Sequence, residues 1–133
     1  MTPRNLLADA RGAAAIEAAF ALPVIIVVMI GLLQFSLVLQ ASGVVRNAAG
    51  EGVRYAKVHP DATEAEVLDK VRAALVGVKS GGIVSLALQR GTATNGAKYS
   101  QVTVKYQLDP LIPLGSDVGA IMLNESMSSY QPT

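Results

Sequence analysis

The sequence predicts an α+β fold in which a long N-terminal transmembrane helix precedes a second, amphipathic helix packed on a small antiparallel β-sheet. Three observations support this fold class. No charged residue occurs between residues 18 and 45, apolar residues recur at helical spacing from 67 to 78, and apolar and polar residues alternate from 102 to 108. The first pattern is typical of a membrane span, the second of an amphipathic helix and the third of a half-buried strand.

The size and composition of the chain limit its class. Its 133 residues suffice for one small domain and an anchor. The formal net charge of +1 gives no electrostatic reason to expect nucleic-acid binding. The chain has no cysteine, which excludes disulfides, thiolate metal sites and cysteine nucleophiles. A domain outside the membrane must therefore be held together by its own apolar core.

The charge-free segment is long enough to cross a bilayer, since about 20 helical residues span a hydrocarbon core of roughly 30 Å. A cleaved secretory signal is one alternative, but its apolar region is usually about 7–15 residues long and is followed by a small-residue cleavage site. Here the small residues, Ala13 to Ala15, precede the apolar stretch. An uncleaved signal anchor is the second alternative, and the apolar segment alone does not separate it from a processed anchor.

Glu17 distinguishes this helix from an ordinary anchor. A charged side chain costs about 2.5–3.5 kcal/mol at the centre of a membrane helix and less toward its end, so it normally has a partner or a function. The nearest basic residue before it, Arg11, lies six positions earlier, which is a poor spacing for a helical ion pair. We therefore expect the partner of Glu17 to come from another molecule.

The residues around Glu17 resemble a type IV prepilin processing site. Arg11-Gly12 is followed by Ala13, Glu17 is the fifth residue after the glycine, and a long apolar helix containing Pro23 comes next. The resemblance implies that a membrane aspartyl prepilin peptidase cuts between Gly12 and Ala13. It also implies that Glu17 faces the new α-amine of Ala13 in a neighbouring subunit, and that Pro23 belongs to the helix used in subunit assembly. That amine has a reference pKa of about 7.7–8.0, so it is cationic near neutral pH.

A second stretch narrows the resemblance to one family. Residues 47–56 read Asn-Ala-Ala-Gly-Glu-Gly-Val-Arg-Tyr-Ala. They resemble the segment that follows the membrane helix in TadE-like proteins, with Gly50 where arginine is common. Together with the prepilin-like residues and Gln34-Phe35, the resemblance covers most of the first 57 residues.

Residues 46–60 are predicted to extend the helix beyond the membrane and then to end it. Val45, Ala49, Val53 and Ala56 fall on one apolar face of this extension. Gly50 and Gly52 each weaken a helix by about 1 kcal/mol relative to alanine, so they either end it early or permit close packing against a neighbour. His59-Pro60 predicts a break, because proline disfavours helix in the residue before it.

The remaining elements follow from local patterns. Thr63 and Glu66 have the spacing of a capping box and predict the start of a second helix, whose apolar face reaches Val78 and which Gly81-Gly82 should end. Strands are predicted at 83–89, 102–108 and 120–130, with a turn at 91–96 and an irregular link at 109–115. In the last strand Ile121, Leu123 and Glu125 should share a face.

No catalytic site is predicted. His59 is the only histidine, and we expect it to be a solvated loop residue. Glu64, Glu66 and Asp69 fit the exposed face of the second helix, and no histidine or cysteine joins them, so a transition-metal site is not expected. The glycines form no phosphate-binding fingerprint. The sequence predicts no enzyme activity, no cofactor and no metal.

The family resemblance implies a function in pilus assembly. It implies a TadE-like pseudopilin, which is a minor pilin processed by prepilin peptidase and active in assembly of a tight-adherence (Flp, type IVb) pilus. The implied partners are the prepilin peptidase, the major Flp pilin, a second pseudopilin, the inner-membrane assembly platform with its ATPase, and membrane lipid. The implied location is the bacterial inner membrane, with a single span, a cytoplasmic N-terminus and a periplasmic C-terminal domain. Basic residues on both sides of the span do not decide this orientation.

These inferences divide the chain into a cytoplasmic leader (1–12), a transmembrane and assembly helix (13–45), a helix extension and break (46–60) and a small α+β periplasmic domain (61–133). An alternative from another class remains open. The chain could be an uncleaved single-pass protein whose periplasmic domain binds a ligand or a cell-wall component, or acts as a scaffold. The N-terminus of the mature protein separates the two.

Overall fold

The computed structural model describes residues 10–112 and 120–130, and the side chains of these residues from Gly12 onward. Two helices and three strands follow one another, with a short 3₁₀ turn at Ser80–Gly82 before the first strand. The elements are α1 (Ala10–Val58), α2 (Glu64–Ala74), β1 (Ile83–Thr92), β2 (Lys98–Leu108) and β3 (Ile121–Tyr130). The three strands form one antiparallel sheet, so the predicted α+β class is confirmed.

Two compact units make up the chain, Met1–Phe35 and Ser36–Thr133. The described part of the first unit is helical and belongs to α1. A helix that is apolar on all sides is either buried in a core or placed in a membrane. The most apolar 18-residue window of α1 has none of its residues buried inside the protein, and α1 is the one described helix long and apolar enough to cross a bilayer. This supports a single-pass membrane anchor.

In the second unit, α1 carries an apolar face that builds the core. The buried residues recur every three or four positions, as neighbours on one helix face do. They are Ala41, Val45, Ala48, Ala49, Val53 and Ala56, which confirms the predicted face. Neither Gly50 nor Gly52 ends the helix. It ends at Val58, immediately before the predicted His59-Pro60 break.

Helix α2 begins with the predicted capping box. The backbone N–H of Glu66 donates to the Thr63 hydroxyl at 3.3 Å, and the Thr63 N–H donates to the Glu66 carboxylate at 2.7 Å. The helix ends at Ala74, before the predicted stop at Gly81-Gly82. Leu75 leaves the helical conformation and Gly77 adopts a φ of 90°, a left-handed conformation that glycine reaches without the Cβ clash of other residues. The chain therefore turns earlier than the apolar pattern predicted.

The sheet has the order β1-β2-β3, with β2 in the centre. Val104 of β2 pairs with Leu86 of β1 and with Glu125 of β3. The β1–β2 turn is closed by the Ala93 N–H, which donates to the Ala97 carbonyl at 2.8 Å. Both strands of this hairpin are longer than predicted, and the third agrees with its prediction. In the predicted irregular link, residues 109–112 form neither helix nor strand, and residues 113–115 lie outside the described residues.

One face of the sheet meets both helices and forms the core. The central strand contributes most, with Val102, Val104 and Tyr106 buried, and α2 contributes Val67 and Val71. The opposite face is polar, where the Gln101 amide donates to the Ser126 hydroxyl at 2.6 Å. The sheet is therefore apolar toward the helices and polar on the other side, as expected for a half-covered antiparallel sheet.

Candidate functional site: the N-terminal turns of helix α1

The predicted processing and assembly residues lie on one stretch of α1. The helix begins at Ala10, so Gly12 and Ala13 fall in its first turn, Glu17 follows one turn after Ala13, and Pro23 lies inside the helix. Ala13 and Glu17 are four positions apart and share a helix face. Of the predicted leader (1–12), residues 1–9 lie outside the described residues.

Glu17 is exposed on an apolar part of the helix. Its neighbours one turn away are Ala13, Ala14, Phe20 and Ala21. The two ion pairs of the described residues both lie between residues 51 and 72, and neither includes Glu17. The side chain of Arg11, the local alternative considered above, lies outside the described residues. Within the described part of the chain, the Glu17 carboxylate therefore has no cationic partner.

Gly12 is not required by packing within the chain. A Cβ added at this position would meet no heavy atom within 4 Å, and the same holds for Gly31 farther along the helix. A glycine costs a helix about 1 kcal/mol relative to alanine. Nothing in the described chain compensates for that cost at Gly12, so a requirement for glycine there would come from a molecule that recognises it.

Pro23 interrupts the hydrogen bonding of α1 without ending the helix. Since proline has no backbone N–H, the helical hydrogen bond to the carbonyl of Ala19 cannot form. Membrane helices tolerate such positions when neighbouring helices or hydroxyl groups satisfy the freed carbonyl. The proline is therefore compatible with a helix that packs against other helices in a membrane.

The structure divides the predicted family stretch at residues 47–56 into two faces. The small and apolar residues of this stretch are buried in the core, as described above. The polar residues Glu51, Arg54 and Tyr55 instead line an open cleft of about 440 Å³ between α1 and α2. Arg54 pairs with Glu51 at 3.1 Å in an exposed ion pair, a type that contributes at most about 1 kcal/mol.

An aromatic stack in this cleft was not foreseen from the sequence. The rings of Tyr55 and His59 stack with centroids 4.4 Å apart, and the Lys70 ammonium lies 5.4 Å from the Tyr55 centroid. His59 is exposed, as predicted, but it is packed against Tyr55. The four-residue spacing on a helix was the signal that could have revealed this contact. Among the described residues, the cleft lining includes no serine, threonine or cysteine.

Two of the three acidic residues of α2 make hydrogen bonds, Glu66 at the helix cap and Asp69 with Arg72. Glu64, Glu66 and Asp69 are exposed. Hydrogen bonds from the Thr63 backbone N–H and then from the Thr63 hydroxyl hold the pKa of Glu66 below its ordinary value of 4.5. The described residues contain no group of three or more histidine, cysteine or acidic side chains that could hold a metal ion.

Comparison with known proteins locates a family match in the N-terminal segment. The family model described as TadE-like protein matches residues 12–54. This range begins at Gly12, includes Glu17 and Pro23, and ends within α1. No curated protein and no solved structure gives a significant match to the chain. The match confirms the resemblance predicted from the sequence, and α2 and the sheet lie outside it.

Proposed function

We propose that this chain, whose residues 12–54 form a TadE-like segment, is a minor pilin of the pseudopilin type that acts in the assembly of a tight-adherence (Flp, type IVb) pilus. The family match supports a role in pilus assembly in general. The observation that carries the finer proposal is Glu17, a carboxylate without a cationic partner in the described chain, five residues after Gly12 on an apolar helix.

The first step in this function is processing by a prepilin peptidase. Water is added across the amide bond between Gly12 and Ala13, which leaves a carboxylate on the leader and an α-amine on the mature chain. The bond lies in the first turn of α1, so the turn must open to enter an active site. Gly12 favours this opening, because glycine weakens a helix by about 1 kcal/mol relative to alanine. The cut precedes the apolar run and therefore leaves the anchor on the mature protein.

The second step is subunit pairing in the membrane. The Ala13 amine of one subunit lies against the Glu17 carboxylate of a neighbour. A charge placed alone in a membrane helix is costly, whereas two opposite charges in contact largely compensate each other. Because a shift between the helices separates the charges, the pair fixes the register of neighbouring subunits.

The protein has no catalytic role in this proposal and uses no cofactor. Its partners are the prepilin peptidase, the major Flp pilin, a second pseudopilin, and the inner-membrane platform with its ATPase. It resides in the inner membrane with the leader in the cytoplasm and the folded C-terminal part in the periplasm. The apolar, exposed surface of α1 in the first unit supports the membrane location.

The processing step is tested by the N-terminal mass of the protein in its native host. Wild-type protein should begin at Ala13, and Gly12→Leu should retain the leader. Gly31→Leu is the matched control, since this glycine also lies in α1 with open space around it. The control should be cleaved normally. A wild-type chain that keeps Met1 would exclude the processing step and the ion pair that depends on it.

The pairing step is tested by Glu17→Gln, which removes the charge and keeps the side-chain size. The variant should insert and be cleaved, but pilus yield should fall more than about tenfold, because removing one partner of a buried pair costs about 3–5 kcal/mol. Glu51→Gln is the control on the same helix, since its ion pair is exposed. Normal piliation by the Glu17 variant would contradict the role given to this residue.

A second candidate function is an uncleaved single-pass anchor with a periplasmic binding or scaffold domain. The cleft with the stacked Tyr55 and His59 rings favours it, because aromatic rings beside cations are suited to ligand binding. An intact Met1 terminus, combined with loss of ligand or cell-wall binding in Tyr55→Ala, would support this alternative.

A further inference from the structure

The second unit has one end at which several elements begin or stop, here called the basal end. Strand register places Ile83 opposite Tyr106 and Leu108 opposite Ile121, so the start of β1, the end of β2 and the start of β3 lie together. A cleft of about 500 Å³ at this end is lined by Leu37, Gln40 and Ala41 of α1, by the loop after α2 and by residues 106–111. The basal end is thus where α1 first joins the folded unit.

Exposed apolar side chains concentrate at the basal end. From Ser36 onward, eight large apolar side chains of the described residues are exposed, and six of them lie in basal segments. The six are Leu39, Val76, Val84, Leu111, Ile112 and Met122. The other two, Val58 and Tyr130, lie at the opposite end of the unit. Single exposed apolar residues are ordinary, but a cluster of this kind indicates a contact surface.

The lining of the basal cleft contains a smaller share of charged residues than a cleft at the opposite end of the unit. Lys79 and Asp109 are the charged residues in the basal cleft lining. A cleft at the opposite end is lined by Asp61, Arg90 and Lys98. An apolar surface with few charges is suited to the boundary between lipid headgroups and acyl chains, and the long side chain of Lys79 can reach the headgroups from it.

The position of this surface along the chain identifies the partner. About 20 helical residues cross a bilayer core, and a span of that length counted from Ala18 ends at Leu37. Leu37 is also the first residue of the basal cleft. A count begun at Glu17, which the pairing step places in the membrane, ends one residue earlier at Ser36, and the charge-free run itself continues to Val45. The membrane boundary therefore falls in the part of α1 that lines the basal cleft. From this coincidence we propose that the basal end of the second unit inserts shallowly into the lipid interface of the membrane that holds its own anchor.

The proposal is tested by the depth of single labels in the full chain, reconstituted in phosphatidylcholine–phosphatidylglycerol vesicles. Because the chain has no cysteine, each variant carries one thiol. Val76→Cys and Leu111→Cys report on the basal end. Val58→Cys is the matched control, since Val58 is 67% exposed and Val76 is 74% exposed. A label at Val27→Cys reports on the span. Each label is a small fluorophore, exposed in turn to headgroup-nitroxide lipid, mid-chain-nitroxide lipid and iodide in the water phase.

We expect the labels at Val76 and Leu111 to be quenched by headgroup-nitroxide lipid at least about threefold more than the label at Val58, as shallow insertion requires. Equal quenching by iodide at all three positions would overturn the proposal. Shielding from both iodide and lipid quenchers at Val76 and Leu111 would also overturn it, because a protein surface, such as a second copy, would then cover the basal end. Loss of mid-chain quenching at Val27 would overturn the anchor as well. None of these outcomes depends on cleavage at Gly12. The test of the basal end is therefore independent of the test of the proposed function.

Discussion

Gly52 lies where α1 is in close contact with both α2 and the central strand. A Cβ built there would lie 2.4 Å from Cγ2 of Val71 and 3.4 Å from Cγ2 of Val102. Valine side chains have few alternative rotamers and cannot move aside at little cost. The nearby Gly50 differs, since its added Cβ would meet only the end of Met127 at 4.0 Å. Two glycines that are two positions apart on α1 therefore have different packing environments.

This difference predicts opposite effects of alanine at the two positions. Gly52→Ala should lower the free energy of unfolding by about 1–2 kcal/mol, since overpacking costs about 1–3 kcal/mol and the gain in helix propensity returns about 1 kcal/mol. Gly50→Ala should raise it by up to about 1 kcal/mol. Urea unfolding of the full chain in detergent micelles, followed by circular dichroism, measures both. A stabilised Gly52→Ala variant would show that the α1–α2 contact is looser than described.

Some of these residue roles could be predicted from the sequence, and others could not. Glu17 could be singled out because a charge within an apolar run is informative without a three-dimensional neighbour. For Gly52 the sequence did not decide between ending the helix and permitting close packing, because the answer depends on which atoms of α2 and β2 approach it. Likewise, the Tyr106 hydroxyl accepts the backbone N–H of Lys79 at 3.1 Å, a contact across 27 positions that no local pattern encodes.

At the scale of elements, local signals predicted the end of α1 and the start of α2 but not the end of α2. The capping box of α2 is specified by two side chains three residues apart, so the sequence contains the whole interaction. The end of α2 depends on the left-handed conformation of Gly77, which the apolar spacing through Val78 did not indicate. Similarly, alternation predicted the strands, whereas the irregularity between Ile83 and Ser85 follows from pairing with β2.

The capping box predicts a pH dependence of stability. Because the pKa of Glu66 is lower in the folded chain than its ordinary value of 4.5, the contribution of the carboxylate is fully present above that value and is lost as the pH falls through the lowered folded value. The stability difference between wild type and Glu66→Gln should therefore shrink below about pH 4.5. Thermal unfolding from pH 7 to pH 3 measures it.

Two further variants make this test specific. Thr63→Ala removes the capping hydroxyl and should cost about 1 kcal/mol at pH 7. Glu64→Gln changes an exposed acid in the same helical turn, one for which the described structure has no side-chain hydrogen bond. If the Glu64 and Glu66 variants respond equally to pH, the dependence reflects net charge and not the cap.

At the scale of the whole molecule, one helix serves two units. Within Met1–Phe35 it is an exposed apolar segment, and within Ser36–Thr133 its apolar face is part of the core. The concentration of apolar residues near the N-terminus was enough to predict the anchor. The full contribution of α1 to the core could not be predicted from the sequence, because small residues such as Ala41 and Ala48 become part of the core only when the sheet lies against them.

Because α1 is part of the core of the second unit, we predict that a fragment folds only if it includes the buried face of α1. A fragment of residues 36–133 keeps the buried face of α1 and should fold cooperatively in mild detergent, with dispersed amide resonances. A fragment of residues 61–133, the domain predicted from the sequence, lacks that face and leaves Val102 and Val104 without their cover on the α1 side. Because a chain this short buries only a small apolar core, loss of the α1 face should leave too little burial for a stable fold, and we expect the fragment to be unfolded. Circular dichroism and two-dimensional NMR distinguish the outcomes. A well-dispersed spectrum from residues 61–133 would contradict this prediction. It would show that α2 and the sheet form a stable core without α1.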